Sequence, residues 1–196
     1  MNHPVKGKLF IFDADGTLRR CIAHQGPCHS DNGQWEIIPG VKETLTHYQW
    51  GEKHSIAIAT NQHGVALGHR TSAQVKDELV KLLNALDIPF HEEDLLHCPH
   101  MPSTCRCAKP SPGMLYEAVW NYLRRLPERG LLAEEDVVFV GDSDADEGAA
   151  LAMTGITFYW AKDFFGWANS GDDYAGKVES NVKKSDLSWQ IRMLHQ

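Results

Sequence analysis

Two aspartates separated by one residue follow a short apolar run: Asp13 and Asp15 come directly after Phe12. On an extended segment, residues two apart point to the same side, so both carboxylates can act on one substrate. One carboxylate can attack phosphorus as a nucleophile while the other transfers the proton. Gly16 lets the chain turn sharply and brings backbone N–H groups near a bound anion. The pattern therefore indicates phosphoryl transfer through a covalent intermediate on Asp13.

Such a site also needs positive charge and hydrogen-bond donors for the phosphoryl group. Thr60 and Asn61 follow a second apolar run and can donate hydrogen bonds to phosphate oxygens. Lys109 precedes a proline, in a rigid loop where its ammonium can act as a fixed point charge. Asp142 and Asp146 follow a third apolar run. Carboxylates of this kind suit Mg²⁺, which proteins usually hold through one or two of them together with phosphate oxygens.

A cluster of metal-ligand residues lies within one loop, residues 97–112. Cys98, His100, Cys105 and Cys107 form a Cys₃His set, a common arrangement for structural zinc. The spacing is tighter than in zinc fingers, so the ligands must lie on one folded-back loop. Four protein ligands leave zinc no open position, and we therefore predict a structural ion that does no chemistry. The alternative interpretation is a loop with reduced thiols that face solvent.

Four short apolar runs are typical of strands buried on both faces, as in a parallel sheet. They cover residues 8–12, 55–59, 136–140 and 155–160. Helical patterns lie over residues 41–50, over 71–86 with a capping box at its start, and from Pro112 onward. Alternating strands and helices predict a doubly wound α/β fold. In such folds ligands bind beyond the carboxyl ends of the strands, where the residues above are found.

The composition limits the kind of protein and its partners. The 196 residues carry a net charge of −7 and no block of lysine or arginine, which disfavours a nucleic-acid partner. No run approaches 18 apolar residues and the N-terminus lacks a signal-peptide pattern, so we expect no membrane span and a cytoplasmic location. We expect one domain over residues 1–196, with residues 20–38 as a loop-like insertion after the first strand.

The four polar motifs, in this order, resemble those of the haloacid-dehalogenase-like hydrolase superfamily. The motifs are Asp13-x-Asp15-Gly-Thr, Thr60-Asn61, Lys109 and Gly141-Asp142-x-x-x-Asp146. The resemblance implies a Rossmann-like core and a phosphatase. It implies that Asp13 is both nucleophile and Mg²⁺ ligand. It also implies that Asp15 is the general acid and base, with its backbone carbonyl on the metal.

The same resemblance assigns roles to the other motif residues. Thr60 and Lys109 are expected to bind the phosphoryl group. Asp142 is expected to be the side-chain Mg²⁺ ligand. Asp146 is expected to support the lysine, or to support the metal without binding it directly.

The cysteine loop narrows the resemblance. Cys-Pro-His, then Cys-x-Cys, then Lys-Pro-x-Pro-Gly-Met is similar to the zinc loop of the D-glycero-D-manno-heptose 1,7-bisphosphate phosphatases and of the related histidinol-phosphate phosphatases. This implies no large cap domain, and a zinc ion that fixes the loop presenting Lys109. The sequence departs from these families where Ala108 and Leu67 replace arginines. Arg19 and Arg106 are instead candidate substrate contacts, since arginine recognises phosphate well.

We therefore expect a Mg²⁺-dependent phosphatase that hydrolyses a small phosphate monoester, sugar phosphate-like, such as a heptose bisphosphate. Two alternatives within the enzymes are a polynucleotide 3′-phosphatase and a histidinol-phosphate phosphatase. A zinc-stabilised binding module without catalysis is the alternative of another class. The sequence leaves the oligomeric state open.

Overall fold

Five parallel strands form the central sheet within the residues that the computed structural model describes, which are 7–22, 34–101, 105–126, 132 and 136–167. Their spatial order is β5-β4-β1-β6-β7. The strands are β1 (Leu9–Phe12), β4 (Ser55–Asn61), β5 (Leu95–Cys98), β6 (Val137–Gly141) and β7 (Thr157–Trp160). A separate antiparallel pair consists of β2 (Arg19–Cys21) and β3 (Trp35–Ile37).

Helices connect the strands. They are α1 (Val41–Leu45), α2 (Ser72–Leu86), α3 (Gly113–Arg125), α4 (Asp144–Leu151) and α5 (Ala161–Phe164), with a 3₁₀ turn at Glu92–Asp94. The predicted capping box at α2 is confirmed, because Thr71 Oγ1 accepts from the Gln74 amide at 3.2 Å and Gln74 Oε1 accepts from the Thr71 amide at 2.7 Å. Pro112 stands directly before α3, as its sequence position predicts.

Successive residues of each strand face opposite sides of the sheet, and both sides are covered. Leu9 and Ile11 of β1 pack in one cluster with residues of α3 and α4. Phe10 and Phe12 pack in a second cluster with residues of α1, α2 and α5. Helices on both faces explain why the strands read as continuous apolar runs. The predicted doubly wound α/β fold is confirmed.

Some local predictions are wrong. Strand β5 and helix α4 lie where the apolar pattern indicated no element, because His97 interrupts the apolar residues of β5 and α4 begins with acidic residues. The helix expected over 41–50 ends at Leu45. After that residue the chain turns so that Tyr48 and Trp50 pack edge-on against Phe10, with ring centroids 4.9 and 5.5 Å apart.

The segment expected to be a loop-like insertion, residues 20–38, is partly a β-sheet. Strands β2 and β3 pair through Arg19 with Ile37 and through Cys21 with Trp35. Residues 23–33 lie outside the described residues. The described part of the chain contains no sheet besides this pair and the central one. The absence of a large cap domain stays a prediction. The single-domain boundary, 1–196, stays a prediction.

Candidate active site

The site lies at the carboxyl edge of the sheet and is centred on Asp13. Strand β1 lies between β4 and β6, so the residues after these three strands meet there. The Asp13 amide donates a hydrogen bond to the Val140 carbonyl at 2.9 Å, which extends the pairing of β1 with β6 by one residue. The residue is buried, with 6% of its surface exposed. Its backbone is therefore fixed by the sheet itself.

Lys109 supplies the positive charge of the site. Its Nζ lies 2.6 Å from Asp13 Oδ1 and 2.5 Å from Asp146 Oδ1, and its side chain is 3% exposed. Burial lowers the pKa of Lys109, but the two carboxylates outweigh burial and raise it above its ordinary value. The lysine therefore stays charged beside Asp13 and Asp146.

Asn61 holds the backbone of Lys109 through both of its side-chain polar atoms. Its Nδ2 donates to the Lys109 carbonyl, and its Oδ1 accepts from the Lys109 amide, both at 3.0 Å. Asn61 is the last residue of β4, so this pair fixes the lysine loop to the sheet. The predicted contact of Asn61 with phosphate stays a prediction. The clamp on Lys109 was not foreseen, because two residues 48 positions apart give no local signal.

Three carboxylates, those of Asp13, Asp142 and Asp146, offer oxygen atoms that lie within 4.8 Å of one another. Burial raises the pKa of Asp13 to about 8; its carboxylate neighbours add to this and Lys109 opposes it. The protein packed around Asp142 raises its pKa to about 6, and Asp146 adds to the effect. Lys109 is the cation that contacts Asp13 and Asp146 in the described part of the chain. A hard divalent cation with oxygen ligands fits this donor set.

The two outer carboxylates differ in their partners. Asp146 accepts from the Ser143 amide at 3.0 Å and from the Ser143 hydroxyl at 2.6 Å, besides its ion pair with Lys109. Asp142 accepts from the Thr17 hydroxyl at 3.3 Å and opens to solvent on its other side. Of the two, Asp142 has the more accessible carboxylate, and Asp146 has the contacts expected of a supporting group. Their roles stay predictions.

The absence of a side chain at Gly16 leaves room for the Asp142 carboxylate. A Cβ atom at this position would lie 2.1 Å from Asp142 Oδ2, and the backbone φ of +96° is one that side chains disfavour. Only glycine brings the chain this close to the carboxylate.

Asp15 is held on both oxygens. Arg19 Nε donates to Oδ1 at 2.8 Å, and Gln62 Nε2 donates to Oδ2 at 2.7 Å. Gln62 also donates to Thr60 Oγ1 at 3.1 Å, and Thr60 is buried at the end of β4. Arg19 is 0% exposed, which favours a role in holding Asp15, while its direct contact with substrate stays a prediction. Gln62 was not identified from the sequence.

Arg106, the other candidate substrate contact, is exposed in the cysteine loop, and its contact stays a prediction. Of the two departures from the resembling families, Leu67 is 56% exposed and Ala108 is buried.

The cysteine loop brings its four predicted ligands together. The three sulfur atoms lie 3.2–3.4 Å apart, too far for a disulfide, in which the sulfurs are about 2.05 Å apart. His100 Nδ1 lies 3.2 Å from Cys107 Sγ and 3.6 Å from Cys98 Sγ. A hydrogen bond from Cys107 lowers the pKa of Cys105 to about 6, and burial raises that of Cys98 to about 12. Three thiols and an imidazole that converge in this way fit a single tetrahedral ion.

A comparison with protein families decides the classification. Residues 8–191 match the model of a family described as polynucleotide kinase 3 phosphatase. The chain belongs to this family.

Curated relatives of this family member carry phosphatase names. A D-glycero-beta-D-manno-heptose-1,7-bisphosphate 7-phosphatase of Pseudomonas putida is 33% identical over 153 residues, covering 74% of this chain and 78% of the relative. A D-glycero-alpha-D-manno-heptose-1,7-bisphosphate 7-phosphatase of Campylobacter jejuni is 30% identical over 150 residues, covering 75% and 78%. The similarity covers about three quarters of each chain.

Solved structures agree with the family assignment. A D,D-heptose 1,7-bisphosphate phosphatase from B. bronchiseptica, solved with magnesium and phosphate, has a TM-score of 0.56 and 27% identity. The match covers 83% of this chain and 87% of that one. The family member described here is accordingly a phosphatase of the haloacid-dehalogenase-like superfamily. No helix in the described part of the chain is both long enough and apolar enough to cross a membrane.

Proposed function

We propose that the protein hydrolyses a small phosphate monoester with the help of Mg²⁺, through an aspartyl-phosphate on Asp13. The observation that carries this proposal is the environment of Asp13, whose carboxylate lies 2.6 Å from the Lys109 ammonium. Two further carboxylates stand within 4.8 Å. A nucleophile, a fixed cation and a set of metal ligands together are the parts that phosphoryl transfer needs.

In the first step, an oxygen of Asp13 attacks phosphorus and the bond to the leaving oxygen breaks. Asp15 donates the proton that the leaving oxygen takes up. In the second step, Asp15 takes a proton from water, whose oxygen attacks the same phosphorus. The bond between Asp13 and phosphorus then breaks, orthophosphate leaves and Asp15 is protonated again. Lys109 neutralises phosphoryl charge in both steps.

Asp13, Asp142 and the backbone carbonyl of Asp15 are the groups that would hold Mg²⁺. When bound, the ion supplies positive charge that neutralises the phosphoryl oxygens. We assign a structural Zn²⁺ ion to Cys98, His100, Cys105 and Cys107. Lys109 follows Cys107 by two residues, so this ion would fix the loop that carries the lysine.

The substrate that we propose is a small phosphorylated metabolite, with a heptose bisphosphate as the first candidate. Support comes from the names of the curated relatives and of the solved B. bronchiseptica protein. A histidinol phosphate stays an alternative from the resemblance of the zinc loop. We also propose a cytoplasmic location for the protein.

A phosphate at the 3′ end of a polynucleotide is a second candidate, favoured by the description of the family that the chain matches. The net charge of −7 argues against it, because polynucleotide binding relies on many lysine and arginine contacts. Its signature is an activity that falls steeply as salt is raised.

Phosphate release from a substrate panel tests the proposal. The panel contains a heptose 1,7-bisphosphate, histidinol phosphate and a 3′-phosphorylated oligonucleotide, each with Mg²⁺ or with EDTA. We compare the native protein with Asp13→Asn and with the control Asp77→Asn, a 61% exposed aspartate on α2. Mg²⁺-dependent release that only Asp13→Asn abolishes supports the proposal. Equal release by native protein and Asp13→Asn refutes the nucleophile, and no release by any of the proteins favours the binding module.

A further inference from the structure

The Asp15 carboxylate belongs to a closed ring of five side chains joined by hydrogen bonds and ion pairs. The Asp15 ring, as we name it, consists of Asp15, Arg19, Glu78, Arg70 and Gln62. Arg19 donates to Asp15 at 2.8 Å and to Glu78 Oε2 at 3.1 Å. The other Glu78 oxygen pairs with Arg70.

The ring closes on the amide side. Arg70 donates to Gln62 Oε1 at 3.3 Å, and Gln62 Nε2 donates back to Asp15 Oδ2 at 2.7 Å. Both oxygens of Asp15 and both oxygens of Glu78 therefore have a partner within the ring.

The members come from separate parts of the fold. Asp15 follows β1, Arg19 belongs to β2, Gln62 and Arg70 lie between β4 and α2, and Glu78 is on α2. The guanidinium of Arg19 also lies over the Trp35 ring of β3, 5.5 Å from its centroid. The side chains are largely buried: Arg19 is 0% exposed, Arg70 8%, Asp15 9% and Glu78 18%.

Stability alone is a weak reason for such an arrangement. Ion pairing roughly offsets the cost of burying charges, so a buried ring adds little net free energy to the fold. What it does fix is geometry, because fork-shaped guanidinium groups hold carboxylates in a defined plane. We infer that the Asp15 ring orients the Asp15 carboxylate for proton transfer, with Glu78 as its outermost positioning residue.

The inference rests on the proposed function, in which Asp15 protonates the leaving oxygen. Glu78 touches neither Asp15 nor any other residue that we place in the chemistry, yet it holds the arginine that fixes Asp15. Loss of its charge should loosen Asp15 without removing it. Because kcat/KM reports the first step, its loss should appear only with substrates whose leaving oxygen needs a proton.

The test compares kcat/KM for p-nitrophenyl phosphate, whose leaving group departs without a proton, with kcat/KM for the best alkyl phosphate of the panel. We expect Glu78→Gln to lower the alkyl value about 10- to 100-fold and to leave the aryl value within about 3-fold, a milder form of the loss expected for Asp15→Asn. Arg19→Lys keeps the charge but not the fork and should fall between native protein and Asp15→Asn. The matched control Asp77→Asn should change neither value. Equal losses on both substrates would overturn the inference.

A second measurement does not depend on activity. If the ring is one unit, Asp15→Asn and Glu78→Gln together lower the Tm by less than the sum of their separate shifts, although the two residues do not touch. Asp15→Asn and Asp77→Asn should be additive. Additive shifts for the ring pair would overturn the inference even if no substrate is turned over. An inactive native protein refutes the proposed function, and the Tm comparison still decides the ring.

Discussion

Asn61 and Lys109, 48 positions apart, share two hydrogen bonds of 3.0 Å between a side-chain amide and a backbone. Asn61 ends the strand next to β1, so the loop that carries Lys109 is fastened to the same sheet as Asp13. The distance of 2.6 Å between Lys109 Nζ and Asp13 Oδ1 thus depends on an asparagine that need not touch the substrate.

Replacing this asparagine should therefore damage catalysis. Asn61→Ala leaves two backbone groups without their partner, at a cost of about 1–3 kcal/mol each in the free energy of unfolding. A displaced Lys109 should lower kcat/KM by up to about 100-fold. Asn121→Ala is the matched control, since the Asn121 amide donates to the Glu93 carbonyl at 2.9 Å and holds no catalytic group. The prediction fails if both variants lose stability and neither loses activity.

A glycine substitution tests the position of Asp142. Gly16→Ala puts a Cβ atom only 2.1 Å from the present position of Asp142 Oδ2, so the carboxylate must move. We expect the apparent Mg²⁺ affinity, measured from activity against Mg²⁺ concentration, to fall by at least about 10-fold.

Gly155→Ala separates this effect from backbone strain. Its φ of +80° is also positive, but nothing lies within 4 Å of the added atom. Both variants should lose about 1–2 kcal/mol of stability from the unfavourable φ. Only Gly16→Ala should need more Mg²⁺, and a similar need in Gly155→Ala would contradict our account of Gly16.

The sequence was sufficient to predict which residues meet at the sheet edge. Asp13, Thr60 and Asp142 each lie at or just after the end of an apolar run, and parallel strands bring their carboxyl ends to one edge. The four metal-ligand residues of the cysteine loop were predictable because they lie within ten positions of one another. Local sequence patterns and the rule for the carboxyl ends of parallel strands are therefore sufficient to predict these two groups of residues.

The contacts between distant side chains were not predictable in the same way. Arg19 and Glu78 are 59 positions apart, and neither apolar periodicity nor spacing marks an ion pair of that kind. From the sequence we therefore expected Arg19 to contact substrate, although its side chain is buried against Asp15. Strand β5 was not predicted because His97 interrupts its short apolar stretch.

The stability of the metal-free protein should depend on pH. The pKa values of Asp13 and Asp142, raised chiefly by the protein packed around them to about 8 and about 6, exceed the value of 3.8 for a free carboxyl. The folded protein then keeps protons that the unfolded chain has lost. The contribution of these two groups to the free energy of unfolding is therefore full below about pH 4. It declines as pH rises to about 6 for Asp142 and to about 8 for Asp13. In EDTA the Tm should fall between about pH 5 and 8 by at least about 3 °C, the shift for roughly 1 kcal/mol.

Mg²⁺ should counter this decline, because it binds the ionised carboxylates. The gain in Tm on adding Mg²⁺ should therefore grow across the same pH range. Asp142→Asn should lose most of the gain. Burial also raises the pKa of Asp94, which precedes β5 and lies away from the candidate metal ligands. Its contribution to the decline of Tm with pH should therefore be the same with and without Mg²⁺. A gain that is constant with pH would contradict the assignment of Asp13 and Asp142 as ligands.

The cysteine loop should hold one zinc ion per chain, measurable by elemental analysis of the purified protein. Cys107→Ser removes a ligand that lies 3.2 Å from both neighbouring sulfur atoms, and Lys109 follows two residues later. Because metal binding contributes directly to folding, the Tm should fall by at least about 5 °C, the shift for roughly 2 kcal/mol. Activity should fall with it as the lysine loop loosens.

Cys21 is a free cysteine of β2 outside the cluster, so Cys21→Ser serves as the control and should keep the zinc, the Tm and the activity. Full activity in a Cys107→Ser protein that contains no zinc would show that Asn61 alone positions Lys109.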